Sequence, residues 1–209
     1  MRILFDLFFA QPIGSSKFHG GGEYMKTVFK HLVEMNTGAE ILVYYDFDKF
    51  IDEWIKELIQ QKNIKTVNVK SIKEVERIFK EEKIDTFYSG MPYKYYEISM
   101  PQEVRKIGTF HGLRFAEKPS DKYALYYYKG KEKCKFLLKY VFNDYFQKKA
   151  TSYYKNGINT FDDVVTVSEH TKYAIRAICN GESNKKIDVF YTPAKFVSDI
   201  KDSAPEISN

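Results

Sequence analysis

The stretch Arg2-Ile3-Leu4-Phe5-Asp6-Leu7, followed after a loop by His19-Gly20-Gly21-Gly22-Glu23, decides the fold. Residues 2–7 read as a buried strand, because Ile3, Leu4 and Phe5 are contiguous and apolar. Residues 23–35 carry Met25, Val28, Phe29 and Leu32 at helical spacing, so a glycine run joins strand to amphipathic helix. An α/β protein uses that arrangement to bring an anion against a helix N-terminus, where unpaired N–H groups and the positive dipole end attract it. Without Cβ atoms, Gly20, Gly21 and Gly22 permit close approach. The plainer interpretation of the same run is a flexible connection.

Beyond this opening, strand and helix alternate. Strands are expected at residues 41–45, 66–69, 84–88, 106–110, 164–167 and 187–191, and helices at 50–60, 71–83 and 168–179. Ser71 with Glu74 reads as a capping box, and Ser168 as an N-cap with Glu169 in the first turn. A mostly helical region over 121–155 interrupts the alternation. The pattern implies an α/β fold, a Rossmann-like parallel sheet sandwiched by helices, spanning 1–192 with a helical insertion at about 117–155. Residues 193–209, with Pro193 and Pro205, read as linker.

At 209 residues the chain fits one sizeable domain, and its 44% hydrophobic and 29% charged residues are ordinary for a globular protein. The 17 Tyr and 17 Phe exceed what a core of this size requires. Cys134 and Cys179 have neither metal nor redox spacing, which favours a reducing compartment, and four scattered His suggest no metal site. Asp6 breaks the apolar run 3–10 and no small-residue cleavage site follows, so a first strand is preferred to a signal peptide. No run approaches the roughly 18 apolar residues of a membrane span.

Charge is uneven. Residues 117–155 hold ten Lys against four acidic residues, while the whole chain carries +5, so the basic excess sits in this segment. It is interleaved with Tyr126, Tyr127, Tyr128, Phe136, Tyr140, Phe142, Tyr145 and Phe146. Cys134, Leu137, Leu138, Val141 and Tyr145 fall on one helical face flanked by lysines. Such a helix can lie on an anionic membrane, with Lys133, Lys135, Lys139, Lys148 and Lys149 as the membrane-facing candidates. The ordinary alternative is a helix that covers the sheet and solvates its lysines.

Three features fall at strand carboxyl ends, where open parallel sheets bind ligands. These are Gly20–Gly22, His111 in Thr109-Phe110-His111-Gly112-Leu113-Arg114, and Ser168-Glu169-His170-Thr171-Lys172. With Met1-Arg2-Ile3-Leu4 and Val164-Val165-Thr166-Val167 in the same order, they resemble the N-terminal domain of retaining GT-B glycosyltransferases of family 4. The resemblance implies that Gly20, Gly21 and Gly22 form the donor phosphate loop and that His111 sits at the reacting sugar. It makes Glu23, Arg114, Ser168, Glu169 and Lys172 candidates for the cleft and acceptor. It also implies a nucleotide-sugar donor, no other cofactor and a glycan or lipid-linked acceptor. The expected location is cytoplasmic, peripheral at the inner face of the membrane.

Two positions depart from the family pattern. His111 is followed by Gly112 where the family often has Asp, and Thr192-Pro193-Ala194-Lys195 replaces an Asn-Gly-x-Asp turn. The resemblance also implies a C-terminal donor-binding domain as partner, which carries the paired glutamates, whether on the same chain or another. A different class of function is a non-catalytic subunit that binds the membrane acceptor for that partner. Nucleic acid is disfavoured because Arg is scarce in the basic segment and the pI of about 8.9 is modest. A dinucleotide site is disfavoured by the absence of G-x-G-x-x-G.

Overall fold

A computed structural model of the chain describes residues 1–192, apart from Ser15, Asn36, Pro119, Asp121 and residues 180–184. Seven strands form one sheet: β1 Arg2–Asp6, β2 Glu40–Tyr45, β3 Lys65–Asn68, β4 Thr86–Ser89, β5 Arg105–Phe110, β6 Asp163–Thr166 and β7 Ile187–Val189. All pairings are parallel, in the order β3-β2-β1-β4-β5-β6-β7. This is the Rossmann-like order, in which the connections leave β1 in opposite directions and open a crevice between β1 and β4.

Alternation along the strands builds two cores. Leu4, Leu42 and Phe87 lie on one face, and Phe5 and Val43 on the other. Helices α1 (Gly20–Glu34) and α2 (Glu53–Gln61) cover the second face with Met25, Phe29, Ile55 and Ile59. The first face is covered by α3 (Val75–Glu81), a 3-10 segment Pro92–Glu97, and two later helices. Between β5 and β6 come α4 (Arg114–Glu117), α5 (Ala124–Tyr127), α6 (Gly130–Val141) and α7 (Asn143–Thr160), and after β6 comes α8 (Glu169–Ile178). Tyr154 and Ile158 of α7 and Ile175 of α8 complete the first core. A fully buried Phe such as Phe29 contributes on the order of 2–3 kcal/mol through its burial alone.

The structure corrects several boundaries. α1 begins at Gly20, not residue 23, so the glycines are its first turn and not a loop. The helix expected over 71–83 is a 3-10 turn Ile72–Glu74 followed by α3. Ser71 makes no backbone cap; its hydroxyl meets Glu74 at 3.3 Å, and Glu74 accepts from the Lys70 N–H instead. The helix expected from residue 50 starts at Glu53, with Asp52 extended before it. The linker expected at 193–209 and the boundary at Asp121 lie outside the described residues.

The largest correction concerns α6. It has no buried residue and does not cover the sheet. Leu138 is 54% exposed and Val141 63% exposed. The chain turns at Phe142, so Tyr145 lies on α7 and not on the same helix as Leu137. No helix among the described residues is long and apolar enough to cross a membrane.

Candidate functional site

The carboxyl ends of β1, β4 and β5 converge on His111. β1 ends at Asp6, fully buried at the crevice. Its carboxylate accepts from Ser89 Oγ at 2.6 Å, Tyr95 OH at 2.9 Å and the Phe9 N–H at 3.1 Å. Burial outweighs these donors and pushes the carboxyl up to about 6. Asp6 thereby ties the end of β1 to the end of β4 and to the 3-10 segment beyond.

β4 continues into Gly90 and Met91, and this turn is what His111 and α1 share. The Gly90 carbonyl lies 2.9 Å from His111 Nε2. A carbonyl only accepts, so Nε2 carries the proton and the neutral ring presents Nδ1 as an acceptor. Burial holds the imidazole below its usual value; the Gly90 bond opposes this and neighbouring His19 reinforces it. Tyr93 fixes the backbone here, its hydroxyl accepting from the N–H of His111 at 2.9 Å and of Gly112 at 3.3 Å. From α1, the Tyr24 ring meets the His111 ring edge-on, with centroids 5.0 Å apart.

Gly21 packs against the same turn, since a Cβ there would lie 2.4 Å from Met91 Sδ. At Gly22 a Cβ would meet the His19 ring at 2.9 Å and the Ala10 carbonyl at 3.0 Å. His19 caps the helix: its Nδ1 accepts from the Gly22 N–H at 3.0 Å, and its carbonyl accepts from the Glu23 N–H. The N–H groups of Gly20 and Gly21 meet no acceptor among the described residues, and they point out of the helix's positive end.

The other candidates divide. Glu23 is occupied with Lys26 at 2.7 Å, a buried ammonium that also reaches Asp52 at 2.5 Å. Ser168 caps α8 by accepting from the Thr171 N–H at 3.2 Å. Glu169 and Lys172 pair with each other at 3.2 Å. The α8 terminus still reaches the site, because Thr171 Oγ1 donates to the His111 carbonyl at 3.4 Å. Arg114 opens α4 and is exposed. Between α4, α7 and α8 lies a cleft of about 540 Å³ with Glu117, Gln147, Thr151, His170 and Tyr173 in its walls. His170 and Glu117 bridge it at 2.9 Å.

Of the lysines, Lys133, Lys148 and Lys149 are exposed, and Lys135 pairs with Glu132 at 2.5 Å. Lys139 is half-buried and lies over the rings of Phe115 and Phe136. Among the described residues no group of three His, Cys, Asp or Glu could hold a metal ion.

Sequence patterns gave no warning of Tyr24, Gly90, Tyr93 or the capping role of His19. Asp6 did carry a signal, as a single acid inside an apolar strand. No protein-family model and no curated protein matches the chain.

Proposed function

We propose that the chain is the acceptor-side domain of a glycosyltransferase. It would move a sugar from a nucleotide-sugar onto a polysaccharide or lipid-linked glycan, as the family 4 GT-B enzymes its motifs resemble do. The observation that carries this is the α1 N-terminus, whose Gly20 and Gly21 N–H groups meet no acceptor among the described residues, packed through Gly21 against the same Gly90–Met91 turn that holds His111 at the sheet's carboxyl edge. Sugar transfer from a nucleotide diphosphate needs fixed dipoles at the departing phosphate and a positioned polar group at the sugar. The α1 terminus supplies the first, and the neutral His111 Nδ1, an acceptor for a sugar hydroxyl, supplies the second. The cleft between α4, α7 and α8 offers polar groups for the acceptor glycan.

This division of labour requires a donor-binding partner domain with the nucleotide between the two, and no metal or organic cofactor. The basic aromatic surface of α6 and α7 would hold the assembly at an anionic inner membrane face. A non-catalytic acceptor-binding subunit would use the same surface but place no demand on His111. Assembling the chain with its donor domain and measuring transfer from radiolabelled nucleotide-sugars separates the two. Transfer that depends on His111 supports the glycosyltransferase, and transfer indifferent to it overturns the assignment of this edge as the reaction site.

A further inference from the structure

A second cavity lies away from His111, where α4 and α6 face α7. It measures about 230 Å³, and its walls are Phe115, Phe146, Ala150, Tyr153 and Tyr154, with Lys139 and Lys149 at the sides. That is below the roughly 300–1,000 Å³ usual for a compact ligand, and a small, mainly apolar slot suits a hydrocarbon chain. Its floor is firm: Tyr154 packs edge-on against Tyr93 and Tyr153, and Gln147 Nε2 donates to the Ala116 carbonyl at 2.9 Å, joining α7 to α4.

Charge and exposure around the slot select its occupant. Neither Lys139 nor Lys149 meets a carboxylate among the described residues, so two cations stand beside an apolar slot without a counter-ion. On α6, which lines the slot through Lys139, Leu137, Leu138 and Val141 are exposed, as are Phe142 at the turn and Tyr145 on α7, so five large apolar side chains within nine residues face water, as at surfaces that meet a partner or a membrane. A second copy of the chain would set one lysine-rich segment against another, and like charges disfavour that contact. An anionic amphiphile satisfies both the slot and the lysines.

We propose that this slot holds one hydrocarbon chain of an anionic membrane phospholipid, with the lipid phosphate between Lys139 and Lys149. The site rests on the membrane-linked acceptor proposed above, and it makes α6 and α7 a lipid-extracting wall rather than a merely adhesive surface.

Calorimetric titration of the whole chain with octyl, decyl and dodecyl phosphate, below their micelle concentrations, tests the slot directly. Affinity is expected to rise about fourfold per methylene until the slot is full and then level off. Lys139→Gln with Lys149→Gln, the first half-buried and the second exposed, is expected to weaken dodecyl phosphate about thirtyfold and to leave dodecanol unchanged. Ala150→Phe is expected to abolish chain-length dependence while the far-ultraviolet spectrum stays native. Inorganic phosphate binding as tightly as dodecyl phosphate overturns the slot. So does equal binding in Ala150→Phe and the parent chain, or self-association at this surface that Ala150→Phe abolishes. Cosedimentation with phosphatidylglycerol vesicles keeps the two ideas apart. Vesicle binding with indifference to monomeric alkyl phosphates removes only the slot, whereas loss of both removes the membrane surface as well.

Discussion

His111 Nε2 lies 2.9 Å from the Gly90 carbonyl oxygen, and this bond couples the ends of β5 and β4 while fixing which imidazole nitrogen carries the proton. Because the ring is buried and held below its usual value, it is neutral at physiological pH. A neutral ring with a fixed tautomer is a hydrogen-bonding group of known direction. Under the proposed glycosyltransferase function, His111→Ala in the chain assembled with its donor domain is expected to lower kcat by about two to three orders of magnitude, the loss of one positioned polar group. His111→Gln, whose amide can still reach the Gly90 carbonyl, is expected to fold normally and recover part of the rate. Unchanged turnover in both variants would make His111 a purely structural residue.

Asp6 and His111 push the pH dependence of stability in opposite directions. Asp6 has its folded value raised from 3.8 to about 6, so the folded state binds the extra proton between those values. Its contribution is full below about pH 4 and declines as pH rises through 6, worth about 3 kcal/mol for a shift of this size. His111 is depressed, so its contribution is present above 6.5 and is lost as pH falls below that value. Urea denaturation between pH 4 and 7.5 is expected to show Asp6→Asn gaining on the parent chain as pH rises. A constant difference across that range would mean that Asp6 titrates as it does in the unfolded chain.

Gly20 and Gly22 are expected to respond differently to the same change. A Cβ at Gly20 meets nothing within 4 Å, whereas one at Gly22 meets the His19 ring and the Ala10 carbonyl. Gly22→Ala is therefore expected to cost about 1–3 kcal/mol and to displace the His19 cap. Gly20→Ala is expected to stay within about 1 kcal/mol of the parent, or to stabilise the helix slightly. Equal effects in thermal denaturation would contradict the packing at Gly22.

What the sequence revealed and what it hid follow from the range of the interactions. Ile3, Leu4 and Phe5 announce a strand because local apolar pattern is enough, and seven such runs with intervening helices imply the parallel sheet. The apolar period begins at residue 23 whereas α1 begins three residues earlier at Gly20, because glycine has weak helix propensity and what holds Gly20–Gly22 helical is a local cap from an unusual capping residue, His19, and a tertiary contact with Met91. The side-chain partners of Asp6 lie 83 and 89 residues away, and no periodicity encodes such a pair. Glu74 was expected to serve Ser71 and serves Lys70 instead, a one-residue shift within the same capping chemistry. The exposure of α6 was the hardest to anticipate, since an amphipathic helix looks the same in sequence whether its apolar side meets a core or remains open.

If the donor half of the site lies on a partner domain, this chain alone should hold nucleotide-sugars weakly. Gly20 and Gly21 offer two N–H groups to a phosphate, and the proposed donor domain would supply the contacts to base and ribose. Calorimetry is expected to give a Kd of about 1 mM or weaker for any nucleotide-sugar. Micromolar binding would place the donor site on this chain and overturn the proposed division between domains.

The lysines of α6 and α7 give the last expectation, and salt is the lever. Each lysine near an anionic surface contributes about 1 kcal/mol, and that attraction acts over a Debye length of about 10 Å at 0.1 M salt but about 3 Å at 1 M. Binding to phosphatidylglycerol vesicles is therefore expected to be clear at low salt, weak at 1 M and absent on phosphatidylcholine. Lys135 and Lys139 of α6 are not equivalent, however. Lys135 already pairs with Glu132 at 2.5 Å, whereas Lys139 lies over the rings of Phe115 and Phe136 and meets no carboxylate among the described residues. Lys139→Glu is thus expected to reduce vesicle binding more than Lys135→Glu, which also leaves Glu132 without its partner. Both variants should keep the parent melting temperature, because α6 contributes no buried residue to either core. Vesicle binding that survives 1 M salt undiminished would assign the attachment to the exposed Leu138, Val141 and Phe142 rather than to charge.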